Sequence, residues 1–205
     1  MITIFAYASN QNGLRDLLRS LIGNAEKKDS FQILVGGYPD NDALWLETMA
    51  EYKDVANLSL MTAGQGKEID TRLCWVLSDE VFILGTQWDK RINYYRDKYP
   101  DDIIVMFPTG YKPYGVKSES EIAMMAERHP VLSAKWVELV GLQDAEMICR
   151  QLFLKHGIDR RIDIRLIDIQ ERGAPSPRPA YDPKEVIRKA DIIAEYINNF
   201  TPSGT

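Results

Sequence analysis

Two adjacent carboxylates close an apolar run in the segment Leu73-Cys74-Trp75-Val76-Leu77-Ser78-Asp79-Glu80. Five apolar residues bounded by polar ones read as a buried strand, so this segment delivers Asp79 and Glu80 to a strand's carboxyl end. Carboxylates in that position are costly unless they stay wet or are neutralised, and a divalent cation with oxygen ligands neutralises them. Such a cation can in turn bridge a diphosphate. The competing reading is a solvated turn between two strands, because Val81–Leu84 is apolar again. Lys67 and Arg72 stand just ahead of the same strand, where they could face a diphosphate or be ordinary solvated charges.

Other chemistry-bearing residues narrow the choice. Gly64-Gln65-Gly66-Lys67 looks like part of a phosphate loop, yet Met61 stands where the first P-loop glycine belongs. Glu68 stands where a hydroxyl is needed for magnesium. No GxGxxG follows the first apolar run, so a dinucleotide site is unsupported. Cys74 and Cys149 form neither a disulfide framework nor a metal knuckle, and His129 and His156 are too few for a zinc site. Neither histidine lies in a recognisable catalytic spacing. Trp88 and Trp136 could stack on sugar rings or anchor the core; Trp45 and Trp75 read as core.

The elements that must position these residues alternate strand and helix. Ile2–Tyr7, Phe31–Val35, Val55–Met61, Leu73–Leu77 and Ile103–Phe107 read as strands. Between them lie a helix with Leu14, Leu17, Leu18, Leu21 and Ile22 on one face, and another from about Asp40 to Lys53. This alternation predicts an α/β fold with a mostly parallel sheet covered by helices. Pro108–Lys117 reads as a turn-rich loop, and Glu119–Arg128, Ser133–Val140 and Asp144–His156 as helices, the last stopped by Gly157. Arg161–Ile169 alternates like a strand with one wet face. Gly173–Pro179 reads as a linker before a helix with Asp182 at its N-cap, Pro183 at N1 and an apolar stripe of Val186, Ala190, Ile193, Ile197 and Phe200.

The chain has 205 residues, with 25 Lys+Arg against 30 Asp+Glu, 45% hydrophobic and 27% charged residues. That balance predicts a soluble globular domain and excludes disorder as the main state. A net charge of −5 argues against a general nucleic-acid or anionic-membrane binder. No apolar run approaches the roughly 20 residues of a membrane span, and Met1-Ile2-Thr3-Ile4-Phe5 lacks the basic start of a signal peptide, so a cytoplasmic protein is expected.

Leu77-Ser78-Asp79-Glu80-Val81, Gly85, Trp88-Asp89 and Tyr99-Pro100-Asp101-Asp102-Ile103 form a series that resembles the GT-A glycosyltransferases of the family 2-like kind. His129-Pro130-Val131-Leu132-Ser133, Trp136, Gly141 and Asp144 resemble their acceptor-side segment, and the likeness covers roughly Ile2–Ile169. It implies a metal-assisted, inverting transfer of sugar from a nucleotide-diphosphate donor, a UDP-sugar first, to a glycan or other hydroxyl acceptor. It implies a GT-A-like domain over residues 1–172, with 173–205 a linker and a helix packing on the domain or on a partner, in a homodimer or a longer chain. The donor would be held at the strand ends by Ala6, Tyr7 and Ala8, by Gly36 and Gly37, and by Lys67, Arg72, Ser78 and Asp79. Manganese or magnesium would sit on Asp79 and Glu80, and the acceptor-side base would be Asp144 or Glu146. Two positions depart from the pattern. Ser78 replaces the first acid of the DxD motif, and Gly36-Gly37 replace the acidic pair that contacts the base, so base recognition falls to the main chain or to other residues, with Tyr7 a candidate stacking surface. Asp144 also reads as a plain N-cap, and Glu146 as an i,i+4 partner of Arg150.

Two other function classes remain open on the residues. One is a non-catalytic α/β module that binds a nucleotide or a partner; the other is a glycosidase with paired carboxylates, whose separation sequence spacing does not give.

Overall fold

The architecture comes from a computed structural model that describes residues 1–37, 42–52, 57–61, 71–110, 129–171 and 181–201. β1 (Ile2–Ala8) leads into α1 (Gln11–Asn24), whose start is set by Asn10: its side chain accepts from the Gly13 amide at 2.7 Å. Leu14, Leu17, Leu18 and Leu21 recur at helical spacing and are buried as the sequence pattern requires. β2 (Phe31–Gly37), α2 (Asp42–Ala50) and β3 (Asn57–Leu60) follow. β4 (Leu73–Ser78) then returns to the opposite side of β1. β5 (Val81–Ile83), α3 (Trp88–Tyr94), β6 (Val105–Gly110), β7 (Val131–Ser133), α4 (Ala134–Val140), α5 (Ala145–His156), β8 (Arg161–Glu171) and α6 (Pro183–Asn199) complete the described elements.

The strands form one sheet in the order β3-β2-β1-β4-β7-β6-β8-β5. The pairs β3–β2, β2–β1, β1–β4 and β6–β8 are parallel, while β4–β7, β7–β6 and β8–β5 are antiparallel. The fold is thus an α/β, mostly parallel sheet flanked by helices. One face carries Ile4, Ile33 and Trp75 against α1 and Trp88; the other carries Val105, Phe107 and Leu132 against α4, α5 and α6.

Both tryptophans that could have met a sugar are core residues. Trp88 is fully buried, with its ring 5.0 Å from Phe31 and 5.4 Å from Trp75, and its Nε1 donates to the Leu21 carbonyl at 2.9 Å. Trp136 is equally buried in the opposite cluster. Asp89, beside Trp88, accepts from the Glu26 and Lys27 amides and the Ser30 hydroxyl, at 2.7, 3.0 and 2.8 Å. The Trp88-Asp89 pair therefore ties α3 to α1 and to the loop before β2.

Several element limits move for local reasons. Ile103 and Ile104 precede β6 rather than opening it, because their amides are taken by Asp101 at 3.0 Å and by the Ser133 hydroxyl at 3.1 Å. β6 instead runs through Pro108 to Gly110, where the expected loop begins, with a register irregularity against β8 between those residues. The expected helix Glu119–Arg128 and linker Gly173–Pro179 lie outside the described residues. α6 has the predicted start: Asp182 accepts from the Lys184 amide at 2.9 Å and proline follows at once. It packs on its own chain, burying Val186, Ala190, Ile193 and Ala194 against α4 and α5.

One connection bends the sheet. Only Asp79 and Glu80 separate β4 from β5, a reach of about 11 Å at most. Along the hydrogen-bonded order, however, the two strands are four steps apart, which in a flat sheet would be about 19 Å. The sheet must curl, and the 11-residue β8 lets it, pairing with β6 over its first residues and with β5 over its last.

Candidate active site

Parallel strands present their carboxyl ends on one side, where open α/β sheets bind ligands. Register puts Tyr7 opposite both Gly36 and Ser78, and Met61 directly after β3 continues the same row, its amide donating to the Val35 carbonyl at 2.8 Å. Tyr7 is 46% exposed. A β-carbon on Gly36 would fall 2.2 Å from the Met61 methyl group and 3.7 Å from the Tyr7 ring. Glycine at this position therefore lets the thioether side chain lie beside the tyrosine, and the two form an apolar, polarisable surface suited to a flat ring. Gly37 ends β2 opposite Ala8. Met61 was not among the residues expected to bind; its only sequence signal is its place at the end of an apolar run.

Ala6 and Ala8 face the other way. Period-2 alternation puts them on the α1 side, where both are buried in the core cluster, so they shape the strand end without presenting a side chain to a ligand. Arg72 does not join the row either. It precedes β4, at the strand's amino end, and its guanidinium pairs there with Asp97 and, at 2.6 Å, with Asp102. Six strand residues, about 20 Å, separate it from Ser78's end. Lys67 lies outside the described residues.

Asp79 has a different environment from the one a cation needs. It is 4% exposed, and its Oδ2 accepts from the Ser9 amide at 2.7 Å, the Asn10 amide at 2.8 Å, the Ser9 hydroxyl at 2.9 Å and the Asn10 side-chain amide at 3.1 Å. Its own amide donates to the Tyr7 carbonyl at 3.0 Å, extending the β1–β4 ladder by one step. Oδ2 is saturated, while Oδ1 only shares the single Ser9 hydroxyl proton at 3.2 Å, so the carboxylate is held to the β1–α1 turn through Oδ2. Glu80 is exposed and Ser78 half-buried. Glu80 alone is then left exposed beside the Ser78 hydroxyl, and one carboxylate holds a hard cation only together with waters and substrate phosphates. Among the described residues no group of three or more histidine, cysteine or acidic side chains is placed to hold a metal ion. Asp79 with Glu80 thus does not fit as a cation pair. Ser9 and Asn10, which hold Asp79, were visible in the sequence only as the residues following the first strand.

The acceptor-side candidates sit where the α4–α5 hairpin turns. α4 leaves the sheet's amino-terminal end at Ser133, and α5 returns to that end ahead of Arg161, which is level with Val105. Asp144 does not act as a side-chain cap. It has left-handed backbone (φ 61°, ψ 20°) and makes no capping bond, and its carboxylate lies 3.8 Å from Lys189 Nζ of α6. Glu146 follows in the first turn of α5, where a negative side chain suits the helix dipole. Burial pushes the Cys74 and Cys149 thiols up to about 12, so both stay protonated at neutral pH and neither supplies a nucleophile.

No protein-family model matches the sequence, and no curated protein is similar to it at a significant level. Solved structures are. The TarS 1–349 structure from S. aureus in complex with UDP superposes with a TM-score of 0.57 at 10% identity, over 97% of this chain and 65% of that one. The same fragment with UDP-GlcNAc gives 0.57 at 12% identity, over 97% and 66%. The mannosyltransferase PcManGT from Pyrobaculum calidifontis, in complex with GDP-Man and Mn2+, gives 0.58 at 10% identity, over 95% and 69%. The chain spans about two thirds of the length of these structures. No helix among its described residues is long and apolar enough to cross a membrane. Likeness at this identity speaks for architecture alone, and the architecture of this chain is a GT-A-like, Rossmann-like α/β fold.

Proposed function

We propose that this chain transfers a sugar from a nucleotide-diphosphate donor, a UDP-sugar first, to a glycan or other hydroxyl acceptor, with inversion. The observation that carries the reading is the row Met61–Gly36–Tyr7–Ser78 across the strand ends of a GT-A-like sheet. The superposed structures hold UDP, UDP-GlcNAc or GDP-Man. In the proposed reaction the nucleobase lies on Tyr7 and Met61, and the diphosphate lies near Ser78 and Glu80. On the acceptor side the carboxylate of Asp144, or of Glu146, takes the proton of the acceptor hydroxyl. The acceptor oxygen forms a bond to the anomeric carbon as the bond from that carbon to the diphosphate oxygen breaks, and the nucleoside diphosphate departs with the electron pair. One of the superposed proteins carries Mn2+. Glu80, exposed directly after β4, is the carboxylate here that could meet such a cation.

The test is a thermal-shift series with UDP, UDP-GlcNAc and GDP-Man, with and without manganese or magnesium. A ligand at 100 times its Kd stabilises by about 2.7 kcal/mol, a shift of several degrees in a chain of this size. Stabilisation by a nucleotide sugar, followed by release of nucleoside diphosphate with an acceptor glycan, supports the reading. Nucleotide binding without turnover on any acceptor would favour a non-catalytic binding module.

A further inference from the structure

We propose that Asp79 is a positioning residue, an internal anion that occupies the donor nest at the amino end of α1 and so holds the β1–α1 turn in its binding shape before any ligand arrives. A helix amino terminus exposes unpaired amides and a positive dipole end, which in many nucleotide-binding folds receive a phosphate. Here the amides of Ser9 and Asn10, the Ser9 hydroxyl and the Asn10 side-chain amide converge on one buried carboxylate oxygen of the chain itself. The backbone is locked at the same place: a β-carbon on Gly13 would come within 2.8 Å of the Asp79 carbonyl oxygen. With that nest just ahead of α1 filled, the donor's phosphates are directed to Ser78 and exposed Glu80. Only this last clause rests on the donor reading given above.

Two substitutions in the full chain separate a clasp from a cation ligand. In Asp79→Asn the amide oxygen can take the place of Oδ2 and keep its four donors, while the side chain loses its charge. Asp79→Ala leaves those donors without a partner. The clasp predicts that Asp79→Asn melts within about 3 °C of the parent, whereas Asp79→Ala melts on the order of 5–10 °C lower or fails to fold. In Asp79→Ala the Ser9 and Asn10 amides should exchange with solvent roughly ten or more times faster. Formate should raise the melting temperature of Asp79→Ala and leave the parent's unchanged. UDP with Mn2+ should stabilise Asp79→Asn as it does the parent, and Glu80→Gln less. Equal melting of the Asn and Ala variants, or loss of Mn2+-dependent UDP stabilisation in an Asp79→Asn protein that melts normally, overturns the proposal. If UDP stabilises none of the proteins, the donor reading fails instead, and the melting and exchange results still decide the clasp.

Discussion

Gly36 and Met61 work as one surface: the absent β-carbon of the first makes room for the methyl group of the second, beside the Tyr7 ring. Gly36→Ala therefore pushes on the far end of a flexible side chain rather than on backbone. We expect the melting temperature to stay within about 2 °C while nucleotide affinity drops roughly tenfold, or about 1.4 kcal/mol, as Met61 moves off the row. Isothermal titration with UDP measures this, and unchanged affinity would separate the row from nucleotide binding. Asp144 gives a second test at this scale. Its side chain makes no capping bond and only a loose pair with Lys189, so Asp144→Asn should cost less than about 1 kcal/mol of stability. Sugar transfer should nevertheless fall by roughly 10²–10⁴-fold, the scale of losing a general base. A loss of only a few-fold would shift attention to Glu146→Gln.

At the scale of elements, α6 seals the Phe107–Leu132 face of the sheet. Ile193 is fully buried against α4 and α5, and Ile193→Ala should lower unfolding free energy by about 2–5 kcal/mol in urea titration. A smaller change would mean that the cluster relaxes into the space. Elements whose pattern is local were legible in the sequence. The leucine spacing of α1, the Asp182-Pro183 start of α6 and the apolar runs of β1, β2 and β4 need nothing beyond their own residues. Distant partners were not legible. Asp79 reads as a strand-end carboxylate until Ser9 and Asn10, about 70 positions earlier, are brought to it. Asp144 has the residue type and place of an N-cap, but its left-handed backbone turns the side chain away from the amides it would cap. Arg72 is near Ser78 in number and at the opposite end of the same strand in space.

Across the whole molecule, burial of both cysteines couples stability to alkaline pH. Cys74 and Cys149 are raised by burial to about 12, above the roughly 8.5 of an unfolded thiol. Between those values the folded state keeps protons that the unfolded state releases. Their contribution is therefore complete below about pH 8.5 and is lost as pH rises towards 12, at up to about 1.4 kcal/mol per pH unit for each thiol. Denaturant titrations from pH 7 to 10.5 should show this fall, and Cys149→Ala should flatten it. A stability that stays level to pH 10.5 would contradict the burial of the thiols.

The two-residue step from β4 to β5 also has a kinetic meaning. Among the described residues, β5 finds its partner strand in residues 169–171 of β8, some 88 positions further along the chain. A chain growing from its amino terminus can pair β1, β2 and β4 early and dock β5 on α1 through Ser20 and Asn24, but β5 gains its strand ladder only once β8 has been made. Closing so long a loop is slow, because the entropy of bringing its ends together is spent before the strand contacts repay it. Binding competence should therefore appear late in refolding, after most of the helical signal has returned, and a nascent chain stopped short of residue 171 should hold the strand ends without a finished mouth.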